Sequence, residues 1–184
     1  MMFLRVGISS ASCWHEKNGV WCKVNIKEAS SLLGDYYEKR EPVVLRGSPG
    51  LGKTQGVCEF ARKAQLPVKV VNAASSEPSE LGLYHLKDGK LQHFPPAWML
   101  EAQQTPHIIF LDELQQASPS MQNALGSLVN ERRIGETFLH PDSWVVAATN
   151  DLSDRSNVNA MPAFLANRFV HIPIEYDADV FLEY

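Results

Sequence analysis

One run in the chain has the residue types and spacing to hold a polyphosphate: Gly47-Ser48-Pro49-Gly50-Leu51-Gly52-Lys53-Thr54. Backbone N–H groups must wrap around phosphate oxygens, and bulky side chains would block that approach. Gly47, Gly50 and Gly52 permit the backbone angles this requires. A β-rich segment precedes the run and a helical pattern follows it, so it ends on a helix N-terminus. Unpaired N–H groups and the helix dipole favour anions there. Lys53 is placed to reach the β- and γ-phosphates, and the Thr54 hydroxyl to bind Mg²⁺. The expected ligand is a nucleoside triphosphate, ATP with Mg²⁺; the competing reading is a glycine-rich turn.

Three further groups follow in chain order. Asp112 and Glu113 end an apolar run, where a parallel sheet places its ligands. Asp112 would hold Mg²⁺, and Glu113 would polarise an attacking water as general base. Two acids in that place are also common as a solvated strand end. Asn150 ends the next apolar run, Trp144 to Thr149, and a neutral amide there can orient water without adding charge. It could equally serve a turn with Asp151. Arg168 precedes the last β-rich run; it reads either as a finger stabilising charge on a transferring phosphoryl group or as a surface arginine.

The elements that must position these groups alternate. Ile26, Ala29, Leu32, Leu33 and Tyr36 mark a helix over 25–40, closed by Pro42. Strands are expected at Pro42–Arg46, Pro67–Asn72, His107–Leu111, Trp144–Thr149 and Phe169–Ile174, the third nearly continuously apolar as in a strand covered on both faces. Helices are expected at Gly52–Gln65, Glu77–Leu83, from Trp98 to about Gln104, from Ser118 to about Asn130, and at Met161–Asn167. Ser118 is the cap of its helix and Pro119 the first residue. Lys87-Asp88-Gly89-Lys90 marks the turn of a small hairpin within Tyr84–Phe94. Strands alternating with helices imply an α/β fold with a parallel sheet covered on both sides.

The 184 residues suit one domain. With 17 Lys and Arg against 21 Asp and Glu, the net charge of −4 indicates no bulk attraction to nucleic acid or to an anionic membrane. Cys13, Cys22 and Cys58 are odd in number and lack the paired spacing of a zinc site, even with His15. Free thiols and a short, poorly apolar N-terminus point to a cytoplasmic protein without a membrane span.

Taken in order, the glycine loop, Ile108-Ile109-Phe110-Leu111-Asp112-Glu113-Leu114, Val146-Ala147-Ala148-Thr149-Asn150 and Asn167-Arg168-Phe169 resemble an AAA+ ATPase core of the P-loop NTPase superfamily. The stretches Gln115 to Leu125 and Glu131 to Ile134, with the hairpin after the second strand, are similar to the MoxR-type branch. The resemblance spans about residues 25–176. It implies a three-layer sandwich whose five core strands, numbered in chain order, lie 5-1-4-3-2, with the hairpin as an insert. It also implies a ring, commonly a hexamer, with nucleotide at subunit interfaces, Arg168 acting on the neighbour's nucleotide, and chaperone-like remodelling or maturation of a partner protein. Asn72 falls where such ATPases often keep a polar residue restraining the catalytic Glu; a turn asparagine is the other reading.

The expected organisation is an extension over 1–24, either disordered or an added strand or hairpin, and the core over 25–184. After the last strand only Asp177 to Tyr184 remain, too few for the helical lid of this family. That departure implies a truncated chain or a lid from elsewhere, and puts turnover by this chain alone in doubt. Two rival functions stand beside the lead: a nucleic-acid-associated motor, which net charge disfavours, and a nucleotide-gated binding module with little hydrolysis. A GTPase is disfavoured because no Asn-Lys-x-Asp motif occurs.

Overall fold

The structure is a computed structural model that describes residues 24–150 and 161–177. Helix α1 (Ile26–Lys39) leads into β1 (Val43–Arg46), and α2 (Lys53–Lys63) into β2 (Val68–Asn72). A hairpin of β3 (Leu83–Lys87) and β4 (Lys90–Phe94) precedes α3 (Ala97–Gln104) and β5 (Ile108–Asp112). Next come α4 (Pro119–Glu131), a short hairpin of β6 (Arg133–Ile134) and β7 (Thr137–Phe138), then β8 (Trp144–Thr149), α5 (Ala163–Ala166) and β9 (Val170–Pro173).

Five strands form one parallel sheet in the order β2-β5-β8-β1-β9, the expected 5-1-4-3-2 read from the other edge. Strand alternation divides the core into two layers. Val43, Leu45, Phe110, Val146 and Ala148 pack under Ala29 and Leu33 of α1 and Val57 and Ala61 of α2. Val44, Ile109, Leu111, Val145 and Ala147 face Met99 of α3 and Met121, Leu125 and Leu128 of α4. Burial on both faces explains why β5 and β8 are apolar along nearly their whole length. Pro173 sits on β9, an edge strand of the main sheet, where a missing N–H is tolerated.

Local signals set the boundaries. Asn25 and Glu28 form a reciprocal capping box at the start of α1. Ser118 accepts from the Met121 N–H at 3.2 Å, with Pro119 first in α4, as expected. Asp88 and Gly89, at φ 51° and 74°, make the turn between β3 and β4.

Two expectations need correction, and one element is additional. The helix expected over Glu77–Leu83 is a single 3₁₀ turn, Pro78–Leu81. Gly82 at φ 131° ends it, in a conformation that side-chain-bearing residues rarely adopt. The helix expected at Met161–Asn167 is confined to Ala163–Ala166. The β6–β7 hairpin was not expected; its strands are two residues each, too short for a periodic signal, and Gly135 at φ 56° was its local mark. The expected extension lies outside the described residues except for Val24, which bridges Ile174 in parallel fashion. Cys13, His15 and Cys22 also lie outside them, whereas Cys58 is a free, exposed thiol. No described helix is long and apolar enough to cross a membrane.

Candidate nucleotide-binding site

The parallel register brings the chemically suited residues to one edge of the sheet. Arg46, Thr149 and Pro173 lie side by side in register at the C-terminal ends of β1, β8 and β9, and Asn72 lies beside Asp112 at the ends of β2 and β5. The glycine loop leaves β1 there and enters α2 at Lys53. Gly50 and Gly52 have φ of 83° and 76°, the left-handed conformation the sequence assigns to them. Gly47 is required for another reason: a Cβ there would stand 2.6 Å from the Ile174 carbonyl oxygen. Its own N–H donates to the Thr149 carbonyl at 3.3 Å, fastening the loop to β8.

Lys53 is buried, with 8% of its surface exposed. Its ammonium donates to the carbonyls of Gly47 at 2.6 Å and Ser48 at 2.9 Å, and to Asn150 Oδ1 at 3.3 Å. These three acceptors are neutral oxygens, which hold the ammonium at the sheet edge. On the adjacent residue, the Thr54 hydroxyl donates to Asp112 Oδ2 at 2.9 Å. The other carboxylate oxygen, Oδ1, accepts from the Glu113 N–H at 3.0 Å. Glu113 has φ 53°, uncommon for a residue with a side chain, and begins the turn Leu114–Gln116 that leads to α4.

Lys53, Thr54, Asp112, Glu113 and Asn150, separated by up to 97 residues in sequence, thus form one connected cluster. The hydroxyl and carboxylate oxygens of Thr54 and Asp112 are hard ligands of the kind Mg²⁺ takes, and one or two protein oxygens are what a Mg²⁺ shared with phosphates needs. Among the described residues there is no cluster of three or more His, Cys, Asp or Glu that would suit a metal bound by protein alone. Gly47 to Gly52 offer backbone, and Ser48, Pro49 and Leu51 fill the loop between the glycines.

Arg168 is not brought to this cluster. It is exposed and lies two residues before β9, whose first residue pairs with Val43, the first of β1. The length of β1, roughly 10 Å at about 3.3 Å per residue, separates it from the edge that carries Lys53. Asn72 has a local task. Its Oδ1 accepts from the N–H groups of Ala74 at 3.1 Å and Ser75 at 3.2 Å, which is the turn reading.

A profile of the AAA domain (dynein-related subfamily) matches residues 42–169. An uncharacterized protein of Staphylococcus epidermidis is 26% identical over 160 residues, 78% of this chain and 59% of that protein. Midasin of Dictyostelium discoideum is 26% identical over 153 residues, 72% of this chain and 2% of that protein. The denitrification regulatory protein NirQ of Pseudomonas aeruginosa is 26% identical over 148 residues, 74% of this chain and 55% of that protein. A Cytophaga hutchinsonii protein described as a putative ATPase, solved at 2.00 Å, has the same fold with a TM-score of 0.65 and 22% identity, over 88% of this chain and 50% of that one. The chain therefore spans about three-fifths of the staphylococcal relative and half of the solved structure.

Proposed function

The chain belongs to the AAA domain family, dynein-related subfamily, and from that premise we propose that it binds ATP with Mg²⁺ and hydrolyses the β–γ phosphoanhydride bond. The observation that carries this reading is the junction of Lys53 with Asn150 and of Thr54 with Asp112 at one sheet edge. The loop N–H groups cradle the phosphates, Lys53 neutralises the terminal ones, and Thr54 and Asp112 hold the cation. Bound Mg²⁺ would neutralise charge on the phosphate oxygens. Glu113 takes the proton of the attacking water, and Asn150 orients that water.

Arg168, on the far edge of its own sheet, suits a role on a neighbouring subunit's nucleotide. This supports a head-to-tail ring, in which each interface pairs two different surfaces. Hydrolysis would then drive remodelling of a partner protein. In support of that step, the β3–β4 hairpin exposes Leu83, Tyr84, Leu86, Leu91 and Phe94, a large apolar area for a domain surface.

The test is Glu113→Gln. It should leave ATP affinity within about threefold while lowering turnover at least about 10²-fold, the usual contribution of a general base. Unchanged phosphate release in this variant would sink the assignment.

A further inference from the structure

The β3–β4 hairpin has no strand partner in the main sheet, and all its strand residues but His93 are exposed. His93 is half-buried, and its ring sits where two glycines come together. A Cβ added to Gly82 would lie 2.4 Å from its Nε2, and one added to Gly135 would lie 2.4 Å from its Nδ1. On its own hairpin the ring packs against Tyr84, with centroids 5.0 Å apart. Nδ1 is buried and has no hydrogen-bond partner. A polar atom is thus desolvated without compensation, which packing around the ring must offset.

Both glycines belong to segments held by one helix. Gly82 ends the turn Pro78–Leu81, which packs on α4, and Gly135 turns β6 into β7 directly after α4, with β6 also packed on α4. Both have positive φ, 131° and 56°, so each place is built around the absence of a side chain. Arg133 donates to the Gly135 carbonyl at 2.6 Å and fixes that turn from the far side.

We propose that His93 is a latch, gripped by Gly82 and Gly135, that joins the apolar β3–β4 hairpin to the β6–β7 hairpin so that both move as one body with α4. The inference does not depend on nucleotide hydrolysis. If α4 shifts, through the turn that starts at Glu113, the latch carries the shift to the exposed apolar strands.

Backbone hydrogen exchange on the full chain tests this in His93→Ala, Gly135→Ala and the double variant. Each single change should raise exchange at least about fivefold in both hairpins together, with β5 and β8 unaffected. The double variant should exchange more slowly than the product of the two single effects predicts, because the clash at residue 135 requires the imidazole, whereas the strain of an alanine at φ 56° does not. Unaltered exchange at 83–94 in both single variants would overturn the latch. So would additive effects in the double variant, or loosening of one hairpin without the other.

Discussion

The Thr54 hydroxyl donates to the Asp112 carboxylate at 2.9 Å, joining the first turn of α2 to the end of β5. The two groups that sequence spacing assigns to one cation are thus already neighbours. Asp112→Asn keeps the size of the side chain and removes its charge, so it isolates the electrostatic part of cation binding. The expected outcome is a loss of Mg²⁺-dependent ATP affinity of about tenfold or more, from one charged contact of about 1.5–3 kcal/mol. Affinity measured with and without chelator checks it. An equal response to Mg²⁺ in the variant and the parent would remove Asp112 from the site.

Lys53→Ala should weaken nucleotide binding about 10- to 100-fold, since it removes a charge-assisted contact to phosphate. Lys53→Arg should not rescue it. The ammonium is a compact point charge fitted among the Gly47 and Ser48 carbonyls, and a planar guanidinium does not fit that space. Titration with a fluorescent ATP analogue decides the point; full affinity in the arginine variant would contradict it.

Asn150→Ala should lower turnover about tenfold or more while sparing affinity, if its amide orients the attacking water. The 3.3 Å contact with Lys53 gives a competing outcome, because loss of Oδ1 would also remove one of the acceptors that position the ammonium. A fall in affinity with unchanged turnover at saturation would make Asn150 a holder of Lys53.

Parts of the fold leave a local trace in the sequence. Apolar runs on β1, β5 and β8 follow from burial on both faces, and the glycines at 50 and 52 follow from positive φ. The sheet order came with the AAA+ resemblance, because order is a property of crossovers that no short run encodes. The turn at Pro78–Leu81 carries a helix-start signal in Pro78, but Gly82 stops it after one turn. The latch at His93 has no local trace: its partners, Gly82 and Gly135, lie on separate segments that come together on α4. The arrangement of Lys53 with Asn150 was expected in role, yet their contact across 97 residues needed the fold.

Trp144 should matter for stability more than its position at the start of β8 suggests. Its Nε1 donates to the Glu41 carbonyl at 2.7 Å, and its ring meets Tyr37 and Phe60 edge-on at 5.7 Å each. Trp144→Phe keeps an aromatic ring but removes the donor. The expected cost is about 1–2 kcal/mol, visible as a lower urea midpoint with unchanged slope. An unchanged midpoint would mean that water replaces the indole at Glu41.

Tyr36 gives the fold an alkaline limit. Burial first, then the charges of Glu41 and Asp35, raise its pKa above the ordinary 10.0. The folded state therefore favours the protonated phenol more than the unfolded state does. That contribution is fully present below pH 10.0 and is lost as pH rises through the higher folded value. Tyr36→Phe should flatten the fall in stability above that pH, and an identical alkaline limb in denaturation curves would show that other groups set it.

Arg168 provides the sharpest test of a shared site. Its place before β9 sets it at the opposite end of the strands from the Lys53 cluster of its own chain. Arg168→Ala should cut turnover by about 10³–10⁵ if the guanidinium stabilises transferring charge on a neighbour. A loss of that size alone does not separate a neighbour's finger from an indirect defect, but mixing does. Subunits carrying Arg168→Ala retain Glu113, and subunits carrying Glu113→Gln retain Arg168. An interface between one of each, in the right order, contains both intact groups. In an equal random mixture of a head-to-tail ring, roughly a quarter of the sites should regain activity. Mixtures that co-assemble yet stay as inactive as their parents would place Arg168 outside catalysis.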